Sequence, residues 1–251
     1  NVQGTVTGTL GATASGGGIT DSAELNVSGN ATFTSSTGTD VILDESANTF
    51  GGTVSFVGSG GDLGNVTIVD DTDLDLQALT ISGNLVATSG GVLTDSGSLV
   101  IGSTTSLTVS GANTLTLDES GNDFSGAVSL SSGTGAVTLV DATALDLGPS
   151  TLGGTLSVTT TNGSITDSGA VSVVGNVTLN DVGQAGITLD QLQADANVIL
   201  TSAGDTALTN DAALNVQGTV TGTLGATASG GGITDSGELN VSGAATFTAS
   251  N

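Results

Sequence analysis

The 251-residue chain is predicted to fold as an all-β parallel β-solenoid, and three observations lead to that prediction. The 22 residues NVQGTVTGTLGATASGGGITDS occupy positions 1–22 and return unchanged at positions 215–236. Short runs of alternating apolar and polar residues recur along the whole chain, and glycine-rich turns separate them. Repeated units of this kind bury their apolar side chains by stacking on their neighbours, so a perfect internal copy favours a solenoid over a globular enzyme.

The strands are predicted from period-2 alternation of β-branched or aliphatic residues with polar ones. Examples are LTLD at 115–118, AVSL at 127–130, VTLVD at 137–141, NVTLN at 176–180 and VILT at 198–201. The runs end at segments such as SGG, SGN, GTG or NGS, where glycine and asparagine accept positive φ at little cost. Strands this short would also suit a β-sandwich, but a sandwich needs different edge and central strands, whereas identical coils can stack indefinitely.

Smaller repeats divide the chain into modules. The block I/L-T-D-S recurs four times, beginning at Ile19, Leu93, Ile165 and Ile233. A longer block, LDESANTFGGTVSF at 43–56, aligns with LDESGNDFSGAVSL at 117–130. After a two-residue deletion it also aligns with LDQLQADANVIL at 189–200. We therefore predict one continuous solenoid over 1–251, with a super-repeat at 1–214 and the start of the next at 215–251. The three modules of the super-repeat are expected at about 1–80, 81–151 and 152–214.

Coil length follows from strand-like pieces that begin near Leu85, Leu107, Val128 and Leu156. They indicate three coils per module, so that a super-repeat of nine coils gives about 24 residues per coil. Residues 1–37 and 215–251 are expected to adopt the same structure, because nearly identical sequence stacks there in the same context. Since the chain begins and ends inside the repeat, we expect it to be part of a longer protein.

The core is predicted to consist of inward-pointing aliphatic side chains. Val54, Val128 and Val198 stand at aligned strand positions and should point into the lumen of the solenoid. Phe50 and Phe124 occupy matched positions and are expected to fill the core beside a glycine-rich turn. Stacking of these aromatic rings on a sugar is the alternative interpretation.

Composition excludes several classes of function. The chain has no Lys, Arg or His against 24 acidic residues, and its formal net charge is −24. Without a cation it cannot neutralise phosphates, so nucleic acid and direct binding to anionic membranes are excluded as partners. The chain also lacks Cys, Trp and Tyr, and the absence of His removes the usual general base and metal ligand. We therefore predict that it is not an enzyme and has no catalytic residue.

The segment VDDTDLDL at 69–76 is the one candidate for a metal site. Its carboxylates are Asp70, Asp71, Asp73 and Asp75. Carboxylate and carbonyl oxygens are the ligands of Ca²⁺, so a calcium site is one hypothesis, and no other cofactor is predicted. The alternative is a solvated polar face, because Ala142 and Ala144 replace two of the four carboxylates in the equivalent block.

The aspartate of the I/L-T-D-S block recurs as Asp21, Asp95, Asp167 and Asp235. An active site does not need one copy in every module, so its recurrence argues against catalysis. A carboxylate that accepts hydrogen bonds from backbone N–H groups of a turn explains the pattern better.

Three segments resemble a known group of proteins: SGNLVATSGGVLTDSGSLVIG at 82–102, NDFSGAVSL at 122–130 and VTLVDATALDLG at 137–148. They resemble the β-strand repeats of giant bacterial surface and secreted adhesins of the filamentous-haemagglutinin type. The resemblance implies a right-handed parallel β-helix, an extracellular or cell-surface location, and a role as a structural shaft in adhesion or cell-to-cell attachment. The partners would be neighbouring repeats of the same chain and other cells or surfaces. A segment that binds glycan or a partner protein is the alternative function.

Overall fold

The computed structural model describes residues 1–250, and they form an all-β fold. Residues 1–250 contain no helix, and thus no helix that could cross a membrane. The chain divides into two compact units, Asn1–Gly126 and Ala127–Asn251. Parallel strands stack in the manner of a right-handed β-solenoid, as the sequence and the resemblance predicted.

The first unit contains sixteen strands. They are β1 (Val2–Val6), β2 (Leu10–Thr13), β3 (Ile19–Val27), β4 (Ala31–Ser36), β5 (Val41–Leu43), β6 (Thr49–Phe50), β7 (Thr53–Ser59), β8 (Val66–Asp70), β9 (Leu74–Leu76), β10 (Leu79–Ile81), β11 (Leu85–Ser89), β12 (Leu93–Asp95), β13 (Leu99–Ile101), β14 (Thr105–Val109), β15 (Leu115–Leu117) and β16 (Asp123–Phe124). They stack in three parallel ladders. One ladder runs β1-β3-β5-β8-β11-β14, the second β2-β4-β7-β9-β12-β15 and the third β10-β13-β16, while β6 pairs with the end of β3.

The second unit repeats this arrangement with another sixteen strands. They are β17 (Val128–Ser132), β18 (Val137–Asp141), β19 (Leu145–Leu147), β20 (Ser150–Leu152), β21 (Leu156–Thr160), β22 (Ile165–Asp167), β23 (Val171–Val173), β24 (Val177–Asp181), β25 (Ile187–Ala194), β26 (Asn197–Ala203), β27 (Thr206–Asn210), β28 (Leu214–Val220), β29 (Leu224–Ala228), β30 (Ile233–Thr234), β31 (Leu239–Val241) and β32 (Ala245–Ala249). Their ladders run β17-β19-β22-β25-β27-β29-β32, β18-β21-β24-β26-β28-β30 and β17-β20-β23-β25, while β31 pairs with the end of β28.

The core of each unit is a set of aliphatic columns. One column of the second unit consists of Val137, Leu156, Val177, Val198 and Val216, each in register with the next and each buried. Alternation along the strands produces these columns, because every second side chain points to the same face. The predicted inward positions Val54, Val128 and Val198 are all buried, as are Phe50 and Phe124. These predictions are confirmed, and burial of both rings removes the sugar-stacking interpretation.

The coil is shorter than the predicted 24 residues. Turns of the solenoid lie roughly 21 residues apart, and the described chain forms about 12 of them. The sequence estimate was wrong because it placed Leu156 one coil after Val128, whereas the structure pairs Val128 with Leu147 and Leu156 with Val137. The offset is also not constant: it is 17 residues between Ala203 and Val220 and 25 residues between Val41 and Val66. Turns of different length absorb this variation.

The two copies of the repeated segment have the same strand register, as predicted. In the first copy, Gly4 pairs with Leu25 and Leu10 pairs with Ala31. The same pairs recur 214 positions later in the second copy, where Gly218 pairs with Leu239 and Leu224 pairs with Ala245. Gly4 and Gly218 also share a positive φ, of 108° and 113°. At Gly218 a Cβ atom would lie 1.9 Å from the carbonyl oxygen of Leu200, so only glycine fits there.

Candidate functional site

The recurring aspartate of the I/L-T-D-S block joins one coil to the next. The Asp21 carboxylate accepts hydrogen bonds from the backbone N–H groups of Asp44 (3.2 Å) and Glu45 (3.4 Å) and from Nδ2 of Asn48 (2.6 Å). These donors belong to the LDESAN segment of the following coil. The predicted capping role is therefore confirmed for Asp21, although the turn that it caps is in the neighbouring coil and not beside it in sequence.

Asn48 completes this contact from the other side. Its Oδ1 atom accepts a hydrogen bond of 2.8 Å from the backbone N–H of Leu25, so the fully buried amide bridges two groups of the preceding coil. We call the arrangement of Asp21, Asn48 and the Leu25 N–H an Asp–Asn clamp. It satisfies polar groups inside the stack that would otherwise be costly to bury.

A second Asp–Asn clamp has the same spacing. Asn122 donates to the Asp95 carboxylate over 2.7 Å and accepts from the Leu99 N–H over 2.8 Å, while the Asp118 N–H donates to Asp95. In both clamps the asparagine follows the aspartate by 27 positions. Sequence reasoning missed the asparagine, although its signal was present in the shared pattern L-D-E-S-x-N at 43–48 and 117–122.

The third module keeps only half of the clamp. Asp167 accepts hydrogen bonds of 2.9 Å from the N–H groups of Asp190 and Gln191. The two-residue deletion in LDQLQADANVIL removes the asparagine position, so the carboxylate caps the turn without a side-chain partner from that segment. Asp235, the fourth member, is exposed in the last described coil.

Burial affects the titration of these carboxylates. Desolvation raises the pKa of Asp95 above its ordinary value, although hydrogen bonds from Asn122, Asp118 and Glu119 oppose the shift. Desolvation likewise raises the pKa of Asp167, against the hydrogen bonds from Asp190 and Gln191. Asp95 and Asp167 therefore gain a proton more easily than an exposed aspartate does.

The four aspartates of the predicted calcium segment have different surroundings. Asp70 ends β8 and is fully buried, where it accepts hydrogen bonds from the N–H (2.9 Å) and Oγ1 (2.7 Å) of Thr72 and from the Phe50 N–H (3.3 Å). Burial is the main cause that raises its pKa, and the Thr72 and Phe50 hydrogen bonds oppose it. Asp71 is exposed.

The other two carboxylates, Asp73 and Asp75, contact the next coil. Oδ1 of Asp73 accepts a hydrogen bond of 2.8 Å from the Val92 N–H, and Oδ1 of Asp75 accepts one of 2.7 Å from the Ser96 hydroxyl. Over residues 1–250, no group of three or more acidic side chains is arranged to hold a metal ion. The geometry thus gives the calcium hypothesis no support, and it stays a prediction for titration to test.

Asp73 and Asp75 also line a shallow surface groove of the first unit. Its polar lining includes Asn30, Thr53 and Thr94. Such a groove offers hydroxyl, amide and carboxylate groups to a ligand. These groups fit the alternative of a glycan- or partner-binding segment.

An aromatic cluster strengthens the contact between successive coils of the first unit. The ring of Phe33 stacks on that of Phe56, with centroids 5.7 Å apart, and meets the ring of Phe50 edge to face at 6.0 Å. Phe33 belongs to the repeated segment and the other two rings to the coil that covers it. Aromatic pairs of this geometry contribute about 0.5–1.5 kcal/mol beyond the burial of their area.

Comparison with known families gives one match. A family model described as "Repeats of unknown function (DUF5649)" matches residues 1–57, 63–131, 134–202 and 203–251. The two central matches are about 70 residues long, the length of the modules in the sequence. No curated protein and no solved structure matches the chain. These findings identify a repeat family and a β-solenoid, and they provide no link to adhesins of the filamentous-haemagglutinin type.

Proposed function

Because the chain belongs to this family of repeats of unknown function, we propose that it forms part of the structural shaft of a giant extracellular repeat protein at the bacterial cell surface. The shaft would serve adhesion or cell-to-cell attachment. The observation that carries the proposal is the shared strand register of residues 2–36 and 216–250. A coil that is copied in sequence, in register and in its glycine conformation is suited to extension by further copies.

Two further observations support a structural role. The buried carboxylates that recur in the modules bind the next coil, so the recurring polar residues are engaged in stacking. The net charge of −24 opposes association between neighbouring chains and favours solubility, which suits a long exposed protein.

Antibody labelling of intact cells tests the location and the role. An antibody raised against residues 1–250 should label filaments outside unfixed cells of the producing bacterium, and external protease should remove the label. Deletion of the gene should reduce attachment between cells or to surfaces. Labelling that requires lysis of the cells would overturn the proposal.

A glycan- or partner-binding segment is the second candidate, favoured by the groove that Asn30, Thr53, Asp73, Asp75 and Thr94 line. The purified chain should then bind a defined glycan on an array. Thr94→Val should abolish that binding, and Thr67→Val, on another outward strand position, should leave it intact. Absence of binding to any glycan or cell-surface extract would leave the shaft as the better proposal.

A further inference from the structure

The last described coil exposes an apolar face, which we call the C-terminal face. It is formed by β30, β31 and β32 and includes Ile233, Leu239, Val241 and Phe247. Phe247 is 50% exposed to solvent, and it borders a concavity that Ile233, Asp235 and Leu239 also line. An exposed aromatic ring within an apolar surface of this kind marks an interaction site.

The first unit shows what covers the same surface elsewhere in the chain. Residues 19–36 and 233–250 differ at three positions only, where Ala23, Asn30 and Ser35 are replaced by Gly237, Ala244 and Ala249. In the first copy, β5 and β6 pair with β3, and β7 pairs with β4. Residues 41–59 therefore cover the copy of the C-terminal face.

Burial of matched side chains measures the effect of this cover. Phe33 is fully buried (0%), whereas its counterpart Phe247 is half exposed. Ile19, Leu25 and Val27 are buried, and their counterparts in the C-terminal face are partly exposed. The side chains that cover Phe33 in the first copy are aromatic, because Phe33 contacts the rings of Phe50 and Phe56. Phe247 has no such cover in the described residues.

The C-terminal face also carries half of an Asp–Asn clamp. Asp235 and Leu239 occupy the positions of Asp21 and Leu25, which bind the amide of Asn48 in the first copy. An incoming coil would complete this clamp with an asparagine and with the backbone N–H groups of an L-D-E-S turn. One contact of the first copy is not available, since Asn30 accepts a hydrogen bond from the Thr53 N–H and Ala244 has no such acceptor.

We propose that the C-terminal face binds a coil with the sequence pattern of residues 41–56. The pattern is an L-D-E-S-x-N-x-F segment followed, six residues later, by a second phenylalanine on the neighbouring strand. This inference refines the shaft proposal and rests on it for its biological meaning. The related block at 117–130 fits less well, because Leu130 stands there in place of Phe56.

Extension of the chain tests the inference. A copy of residues 38–80 is added after Asn251, and a control extension carries Asn48→Ala and Phe56→Ala within the added copy. Amide hydrogen exchange at Leu239 should slow by at least about tenfold with the matching extension and by much less with the control, since a coil that covers the face protects its backbone. Phe247→Ala should lower the melting temperature of the matching extension by several degrees more than that of the unextended chain.

Each other outcome has a meaning. Equal exchange at Leu239 in both extended chains, or proteolytic trimming of the matching extension back to the original length, would overturn the proposal. Concentration-dependent dimerisation of the unextended chain that Phe247→Asp abolishes would assign the face to a second copy instead. None of these results depends on cell-surface labelling, so failure of the inference and failure of the shaft proposal can be told apart.

Discussion

A single buried asparagine holds each Asp–Asn clamp together. Asn122 bonds both the Asp95 carboxylate and the Leu99 N–H, and it has no exposed surface. Replacement by alanine leaves the buried Leu99 N–H without its acceptor and removes one hydrogen-bond donor from the Asp95 carboxylate, a change that costs about 1–3 kcal/mol. We expect Asn122→Ala to lower the free energy of unfolding by this amount and to accelerate amide exchange at Leu99.

The matched control is Asn162→Ala, because Asn162 is exposed and makes only a hydrogen bond to the Ala142 carbonyl. A double-mutant cycle between Asp95→Ala and Asn122→Ala should give a coupling energy of about 0.5–3 kcal/mol. Additive effects of the two changes would show that the clamp does not act as a unit.

At the scale of the element, strand alternation decides which substitutions a coil tolerates. Val128 and Ser131 lie in the same strand, but Val128 is fully buried in the core and Ser131 is exposed. Val128→Asp would bury a carboxylate without a partner, which costs more than about 3 kcal/mol. We expect this variant to melt far below the parent protein and Ser131→Asp to melt close to it; equal melting of both variants would contradict the register.

The strands could be predicted from sequence because alternation and glycine-rich turns are local signals. The strand V-T-I-V-D shows both the strength and the limit of this reasoning. Alternation along this strand places Val66 and Ile68 inward, and it also places Asp70 in the core, although the sequence indicates Asp70 only as a possible metal ligand. The signal was available, but the hydrogen bonds from Phe50 and Thr72 that make this burial possible depend on the fold.

Coil length and the clamps could not be predicted because both depend on pairing between distant residues. The turn between β7 and β8 lengthens one coil, and Val41 pairs with Val66 across 25 positions, yet the aliphatic columns stay in register. A fixed period therefore misplaces later strands. The partner of Asp21 lies 27 positions away, so no local pattern around the aspartate identifies it.

For the molecule as a whole, the acidic composition determines the response to pH. Burial raises the pKa of Asp70, Asp95 and Asp167, so the folded state binds these protons more tightly than the unfolded state. Their contribution to stability is present at low pH and is lost as the pH rises through the folded pKa values. Protonation also reduces the repulsion within a chain of net charge −24.

We therefore expect the melting temperature to rise as the pH falls from about 7 to about 4, the reverse of ordinary acid denaturation. The exposed Asp205 acts in the opposite direction, because hydrogen bonds from Thr223 lower its pKa. Asp95→Asn should flatten the pH dependence, and Asp71→Asn, an exposed control, should change it less. A melting temperature that falls steadily over this range would contradict the prediction.

The effect of salt on the melting temperature independently tests whether repulsion between carboxylates destabilises the fold. With 24 carboxylates and no cationic side chain, NaCl should raise the melting temperature by screening repulsion. If Asp70, Asp71, Asp73 and Asp75 form a calcium site, CaCl₂ should raise the melting temperature further than NaCl of equal ionic strength. Coincident curves would leave screening alone and remove the calcium hypothesis.

The separation of about 21 residues between stacked strands has a consequence for the order of folding. Each coil pairs with its immediate neighbours, so the entropy cost of closing each loop stays small however long the chain becomes. A chain that emerges slowly from a ribosome or a secretion pore would fold progressively, one turn behind the exit. Each Asp–Asn clamp would then form as soon as the asparagine, 27 positions after its aspartate, had emerged. The newly formed coil would hinder the chain from sliding back into the pore. Ribosome-bound chains truncated after successive coils should accordingly gain protease resistance in equal steps, and one cooperative gain at full length would contradict this order.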